Sequence, residues 1–382
     1  FYLETFNFLE AEGAIAQKRS GKRTDRISTL ESGCRPHRRC FNLSGNRTEE
    51  RYFWTVTMQK TCLYQSHVDL KAKIVPFYGW QLPVQFSSVM SEHEAVRHKA
   101  GIFDVSHMQV IDLFGADAME FLQWLTVTDL SKKQPSNGLF SCIYTCFLNP
   151  EAGIIDDLIV CRQESNRFRI VTNAGTREMV LNHLKEKSGE YDVEIKPLEN
   201  YGMIAVQGPE AEKNLKELID IPQLASFEAC FIGDDFLSRT GYTGEDGFEV
   251  IASQETIQSL WSELIRKGVL PCGLAARDTL RMEAGMNLYG ADMDETIRPD
   301  QCGLHWVIST NKEFIGKNYA KKDESKNKLV PLIVETNDVD VTYNEAVMKG
   351  DKSIGYVTSG GFAHFVNKSV ALSYLDTNEI NS

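Results

Sequence analysis

The sequence predicts an α+β protein of more than one domain, closed by a small all-β module. Three observations predict it. Helix-period and strand-period segments alternate from about residue 58 to about 325. Beyond 325 the pattern changes to short β-rich runs broken by turn residues. The chain has 382 residues, more than a single hydrophobic core usually serves.

The elements follow in order. Residues 1–57 hold ten Lys/Arg against seven Asp/Glu, with weak periodicity and basic clusters at 18–26 and 35–39. They are expected to form a poorly ordered extension; seven acids count against a transit peptide. From Met58 the text becomes orderly. Residues 88–99 (SVMSEHEAVRHK) predict a helix closed by Gly101. Residues 115–125 predict a second, with Met119, Leu122 and Trp124 towards a core. Residues 153–163, 168–172 and 203–207 read as strands. Residues 209–219 open on Pro209 at a first-turn position, with Lys213 and Glu217 spaced for an ion pair. Residues 255–267 are amphipathic and stop at Gly268, and 273–284 stop at Gly285. Strands at 328–335, 353–359 and 369–374 make the terminal module. The domains are therefore 1–57, a main body over 58–325, and a β module over 326–382.

The net charge of −12 argues against a general nucleic-acid grip, which needs a basic face. No apolar run approaches the roughly 18 residues of a membrane span. The nine cysteines are odd in number and scattered, which suits a reducing compartment and buried, unpaired thiols. Cys34-x2-His37-x2-Cys40 invites zinc but lacks a second ligand pair, and the eight histidines do not group at metal spacing. No metal is expected. Walker loops, His-Glu-x-x-His and Gly-x-Ser-x-Gly do not occur.

Three features stand out. Asp157 lies mid-strand in Gly153-Ile-Ile-Asp-Asp157-Leu-Ile-Val-Cys-Arg-Gln163. Alternation places it with Ile155 and Ile159, and Asp156 on the other face with Ile154, Leu158 and Val160. The two carboxylates are thus expected to diverge and not to act as a dyad. A carboxylate among aliphatics is paired, hydrogen-bonded or functional. The second feature is Arg239-Thr-Gly-Tyr242-Thr-Gly-Glu-Asp-Gly-Phe-Glu249, where Glu249 falls inside a strand after a glycine turn. Its two oxygens suit an amidine-like or aminopyrimidine edge; a surface hairpin with a salt bridge is the alternative. The third is Arg277 and Arg281, one helical turn apart. Each wants an anionic partner unless the face is simply solvated.

Five segments occur in register: Phe103-Asp-Val-Ser-His107-Met108, Gly153-Ile-Ile-Asp-Asp157-Leu-Ile-Val, Gly241-Tyr-Thr-Gly-Glu-Asp-Gly-Phe-Glu249, Gly273-Leu-Ala-Ala-Arg277-Asp-Thr-Leu-Arg281, and Leu288-Tyr289-Gly-Ala-Asp-Met-Asp-Glu295. Pro76-Phe-Tyr-Gly-Trp80 and Ile354-Gly-Tyr-Val-Thr-Ser359-Gly-Gly belong with them. Over roughly 59–375 the chain closely resembles the aminomethyltransferases, the T-protein family of the glycine cleavage system.

That resemblance implies a three-domain, ring-like α+β fold of mixed and antiparallel sheets, with two interleaved domains in 58–325 and a terminal barrel or jelly-roll-like module. It implies transfer of the one-carbon unit of an aminomethyl group, carried on the dihydrolipoyl arm of H-protein, to tetrahydrofolate. Ammonia leaves and 5,10-methylenetetrahydrofolate forms, without metal or pyridoxal phosphate. By position Asp157 matches the family's essential acid, Glu249 the acid that holds the pterin's amino edge, and Arg277 a ligand-contacting guanidinium. Met108, Val171, Asn173, Tyr242 and Trp306 match positions lining the folate cavity. Relatives run on past the position of Ser382, so the last module is expected to be shortened. The rival readings are a folate-dependent demethylase-type domain, against which stands the lack of a flavin-binding half, and a folate-binding iron–sulfur assembly factor, whose Lys-Gly-Cys-Tyr-type segment is not matched by Asp300-Gln-Cys302-Gly. Partners are expected to be lipoylated H-protein and tetrahydrofolate, with no nucleic acid and no membrane. The expected location is a bacterial-type cytoplasm, with the mitochondrial matrix as alternative.

Overall fold

The computed structural model describes Leu9–Glu10 and residues 58–380, apart from 136–137, 321–324, 336–339 and 366. Nearly all of the expected N-terminal extension, with Cys34, His37 and Cys40, lies outside the described residues. The main body is built on an eleven-stranded sheet in the order Glu194–Pro197, Gln109–Phe114, Arg167–Thr172, Ile154–Glu164, Phe140–Leu148, Glu228–Ile232, Asp235–Ser238, Gly247–Ser253, Tyr201–Gln207, Gly101–Asp104, Leu270–Cys272. Its pairings are antiparallel except the last, where Leu270–Cys272 runs parallel to Gly101–Asp104. A three-stranded sheet carries the hairpin Lys73–Phe77/Trp80–Gln85. The terminal module is a third, five-stranded sheet, ordered Leu9–Glu10, Asn327–Val334, Lys368–Asp376, Lys352–Ala363, Ala346–Lys349. The α+β class and the terminal β module hold.

The hairpin bearing Asp157 shows how local chemistry sets a position. Phe140–Leu148 and Ile154–Glu164 pair with Cys146 opposite Asp157 and Tyr144 opposite Ile159. Their loop is fixed by Asn149, whose Oδ1 accepts from the backbone N–H groups of Glu151 and Gly153, the habit of Asn in turns. Ile154 N–H donates to the carbonyls of Asp294 and Ile297, so the loop that follows Tyr289 lies over the hairpin's start. Gly153 is the closest approach: a Cβ there would lie 1.7 Å from the Glu295 carbonyl oxygen.

The helices confirm some sequence signals and correct others. Val89–His98 begins at a Ser88/Ser91 capping box. Gly101 does not close it; Gly101 starts a strand, where a Cβ would strike Val96 and Cys272, so the glycine serves close packing. Ala118–Leu125 buries Ala118, Phe121, Leu122 and Leu125. Met119 and Trp124 are only half-buried, because the 118/121/122/125 spacing defines the inward stripe. The expected helix at 209–219 shortens to Ala211–Lys216. Glu217 pairs with Lys267 at 2.6 Å, not with Lys213, since the helix has ended before it. Gln254–Arg266 and Leu274–Glu283 end as expected, with Gly268 and Gly285 at positive φ.

Cysteine pairing differs from expectation. Cys142 and Cys161 face one another across neighbouring strands and form a disulfide, since register rather than sequence spacing decides which sulfurs meet. Cys62, Cys146, Cys230, Cys272 and Cys302 are free, and all but Cys62 are buried. Among the described residues no helix is long and apolar enough to cross a membrane.

Arg281 joins the main body to the β module. It is 2% exposed, so the solvated helix face considered from sequence does not hold for it. It donates to Asp278 at 2.7 Å, Asp292 at 2.7 Å and Ser359 at 2.8 Å. Asp292, 0% exposed, also accepts from Ser359 and Thr358, and its carbonyl accepts from the Tyr374 hydroxyl. Asp292→Ala strands a buried guanidinium and is expected to cost about 3–5 kcal/mol in urea unfolding, whereas a loss under about 1 kcal/mol would show that other partners suffice.

Candidate active site

Asp157 is half-buried, while Asp156 beside it is fully buried. The Tyr144 hydroxyl donates to Asp157 Oδ2 at 2.9 Å. The Asn173 side-chain amide donates to Asp157 Oδ1 at 2.8 Å, to the Asp157 carbonyl at 3.0 Å, and to Asp156 Oδ1 at 2.9 Å. The Asn173 backbone N–H adds a contact to Asp156 Oδ2 at 3.2 Å. The expectation that the two carboxylates diverge is therefore corrected. The ladder shifts register at Phe147/Leu148, next to them, and both side chains turn onto one amide from the end of Arg167–Thr172.

Burial pushes the Asp157 carboxyl up to about 6, against the pull of Tyr144, Asn173 and Arg277 towards the charged form. Asp156 is raised well above the carboxylate range, first by burial and then by Asp157. The two carboxyls thus differ: burial and the neighbouring charge push Asp156 further from the charged form than Asp157, whose partners favour its charge.

A second group lies on the helix Leu274–Glu283 and the strand Gly247–Ser253. Glu249 accepts from the Thr240 hydroxyl, and burial raises its carboxyl while Thr240 and Arg277 hold it down. One such bond leaves acceptor sites on both oxygens. The motif does form a hairpin with an Arg239–Asp246 ion pair, but Glu249 takes no part in that pair and is half-buried in a central strand. Arg277 lies over the Tyr242 ring, 4.2 Å from its centroid, and has no salt bridge among the described residues. Burial lowers its affinity for a proton, opposed by Tyr242, Glu249 and Asp278. The Tyr242 hydroxyl donates to the Asn287 carbonyl.

The remaining expected residues divide. Trp306, 48% exposed, stacks on Tyr144 with centroids 5.9 Å apart and thus stands one residue from Asp157. Val171 and Met108 pack with Val110, Phe103 and Met203 in one apolar cluster, Val171 buried and Met108 half-buried. Two residues escaped the sequence reading. Tyr144 is one, though pairing the two strands around Asn149 would have set it diagonally from Asp157. His107 is the other: burial, with the nearby Arg277, lowers its imidazole to about 4 and keeps it neutral. A surface depression of about 500 Å³ bounded by Asp112, Phe114, Glu164 and Arg167 lies at the opposite end of these strands and includes none of the groups above. Among the described residues no three His, Cys, Asp or Glu side chains gather as a metal site requires.

Residues 63–312 match the GCVT N-terminal domain, and residues 327–382 match the glycine cleavage T-protein C-terminal barrel domain. The chain belongs to the glycine cleavage T-protein family. It is 40% identical over 321 residues to the aminomethyltransferase of Methylococcus capsulatus, covering 82% of this chain and 88% of that one. It is 39% identical over 338 residues to the aminomethyltransferase of Xanthomonas axonopodis pv. citri, covering 84% and 90%. The solved structure of glycine cleavage system aminomethyltransferase T from Bartonella henselae superposes with a TM-score of 0.79 at 32% identity, covering 84% of this chain and 91% of that one. The chain is thus a transferase of the glycine cleavage system, in a folate-dependent family.

With the Asp157 carboxyl at about 6, a reaction that needs it charged is expected to slow as pH drops through about 6. Tyr144→Phe removes a donor that favours the charged form, so the acid limb of its kcat profile is expected at higher pH than wild type; an unmoved limb would separate Tyr144 from the titrating group.

Proposed function

We propose that Asp157 is the catalytic carboxylate of an aminomethyl transfer from the dihydrolipoyl arm of H-protein to tetrahydrofolate. The observation that carries this is a half-open carboxylate held on both oxygens by Tyr144 and Asn173, with Asn173 also gripping its backbone carbonyl, in electrostatic range of a guanidinium without a salt bridge among the described residues. The carbon–nitrogen bond to the departing ammonia and the carbon–sulfur bond to the lipoyl arm both break, and the methylene carbon becomes bonded to both folate nitrogens. The two protons those nitrogens lose leave with ammonia and with the released dihydrolipoyl thiol. Positive charge develops at that carbon as ammonia leaves. A fixed carboxylate stabilises such charge without having to reorganise. Tyr144 and Asn173 hold Asp157 in place, which is the entropic part of the acceleration.

Glu249 offers its oxygens to the two parallel donors of the pterin's aminopyrimidine edge, while Arg277 and Tyr242 flank it. Asn173 and Trp306 fix the walls nearest the reacting carbon, and Met108 and Val171 supply apolar lining. The pattern fits tetrahydrofolate better than a nucleotide, because its charged groups alternate acid and base instead of clustering cations. The bacterial origin of the relatives favours a bacterial-type cytoplasm as the setting.

In a reconstituted system with lipoylated H-protein, Asp157→Asn is expected to keep the fold and lose most turnover, by about 100-fold or more. Near-normal turnover would remove Asp157 from the reaction. Glu249→Ala is expected to weaken tetrahydrofolate binding by about tenfold or more, read by titration, as two donors lose their acceptor; unchanged affinity would exclude it from the site.

A further inference from the structure

Tyr78 stands where a side chain is least favoured. It and Gly79 form the two-residue loop between Lys73–Phe77 and Trp80–Gln85, with φ of 45° at Tyr78 and 81° at Gly79. Positive φ at both positions is the mark of a loop that prefers Asn-Gly. A bulky aromatic there is strained, and such strain persists where the side chain has a task.

The ring lies against two glycines from distant segments. A Cβ at Gly175 would fall 2.7 Å from Tyr78 Cδ1 and 2.8 Å from Cε1, and one at Gly290 would fall 2.7 Å from the Tyr78 hydroxyl. Gly175 follows Asn173 by two residues. Gly290 follows Tyr289, whose hydroxyl donates to the Ile154 carbonyl at the start of the Asp157 strand. Tyr78 is nonetheless 45% exposed, so it sits at the rim and not in a core. Its neighbours tie the same hairpin to the site: Phe77 meets His107 edge-on at 5.7 Å, and Trp80 lies under Arg177, which donates to the His107 carbonyl.

We propose that Tyr78 is a positioning residue whose ring clamps the Gly175 and Gly290 segments together, and so keeps the Asn173 amide on the Asp157 carboxylate. The strain in the turn is retained for that contact. The inference rests on the reading of Asp157 as the catalytic carboxylate.

The test uses the full chain in the reconstituted reaction. Tyr78→Asn keeps a residue suited to positive φ and removes the ring. It is expected to lower kcat on the order of tenfold or more, with KM for tetrahydrofolate and Tm little changed. Its acid limb is expected at higher pH, because a loosened Asn173 donates less well to Asp157. Gly175→Ala, which pushes the ring away, is expected to do the same, and the two losses should not add in the double variant. Wild-type kcat in Tyr78→Asn, additive losses, or a Tm that falls with kcat would overturn the proposal. Asp157→Asn, assayed alongside, separates the two ideas. An active Asp157→Asn defeats the carboxylate assignment, and an inactive one beside a normal Tyr78→Asn defeats only the clamp.

Discussion

One side-chain amide, that of Asn173, carries the arrangement on which the site depends. Two adjacent carboxylates in a greasy strand repel and are costly to desolvate. A single N–H₂ group placed between them gives each an oxygen contact and also grips the backbone of Asp157. The amide cannot neutralise two charges, so the charged form of the more buried acid, Asp156, is the more disfavoured, and Asp157 faces the side that opens towards Tyr144 and Arg277. Everything else near the reacting position adjusts this asymmetry.

The fold supplies that geometry through pairing rather than through any single segment. Asn173 arrives at the end of Arg167–Thr172, Tyr144 on the strand across from Asp157, and Trp306 from the short 3-10 helix His305–Val307, stacked on Tyr144. Arg277 and Glu249 come from the other half of the sheet, whose helix Leu274–Glu283 is anchored by Arg281 to the terminal module. Arg277 and Arg281 look alike in sequence, one turn apart. Their fates differ because Arg281 meets Asp278 and Asp292, whereas Arg277 meets an aromatic face.

Much of this could be read in advance, and what could not follows a rule. The Asp157 strand was legible because aliphatics flank it, and Glu249 because a glycine turn precedes it. The helix ends at Gly268 and Gly285 were legible from local backbone chemistry. Gly101 misled, since a glycine reports either a stop or a close approach, and only the neighbouring Val96 and Cys272 tell which. Tyr144, the Cys142–Cys161 pair and the convergence of Asp156 with Asp157 all depend on register between strands, which no single segment encodes. Tyr78 was hidden for another reason: its conformation contradicts the preference of its own residue type.

The tightness at Gly153 has an evolutionary meaning. With the Glu295 carbonyl 1.7 Å from where a methyl group would begin, even alanine demands that the crossing segment lift away. That segment is held by Ile154 N–H, three residues before Asp157. Drift at position 153 is thereby barred not by the chemistry of the pocket but by the thickness of one peptide laid across another. A lineage that loses the glycine must first reroute the loop beyond Tyr289.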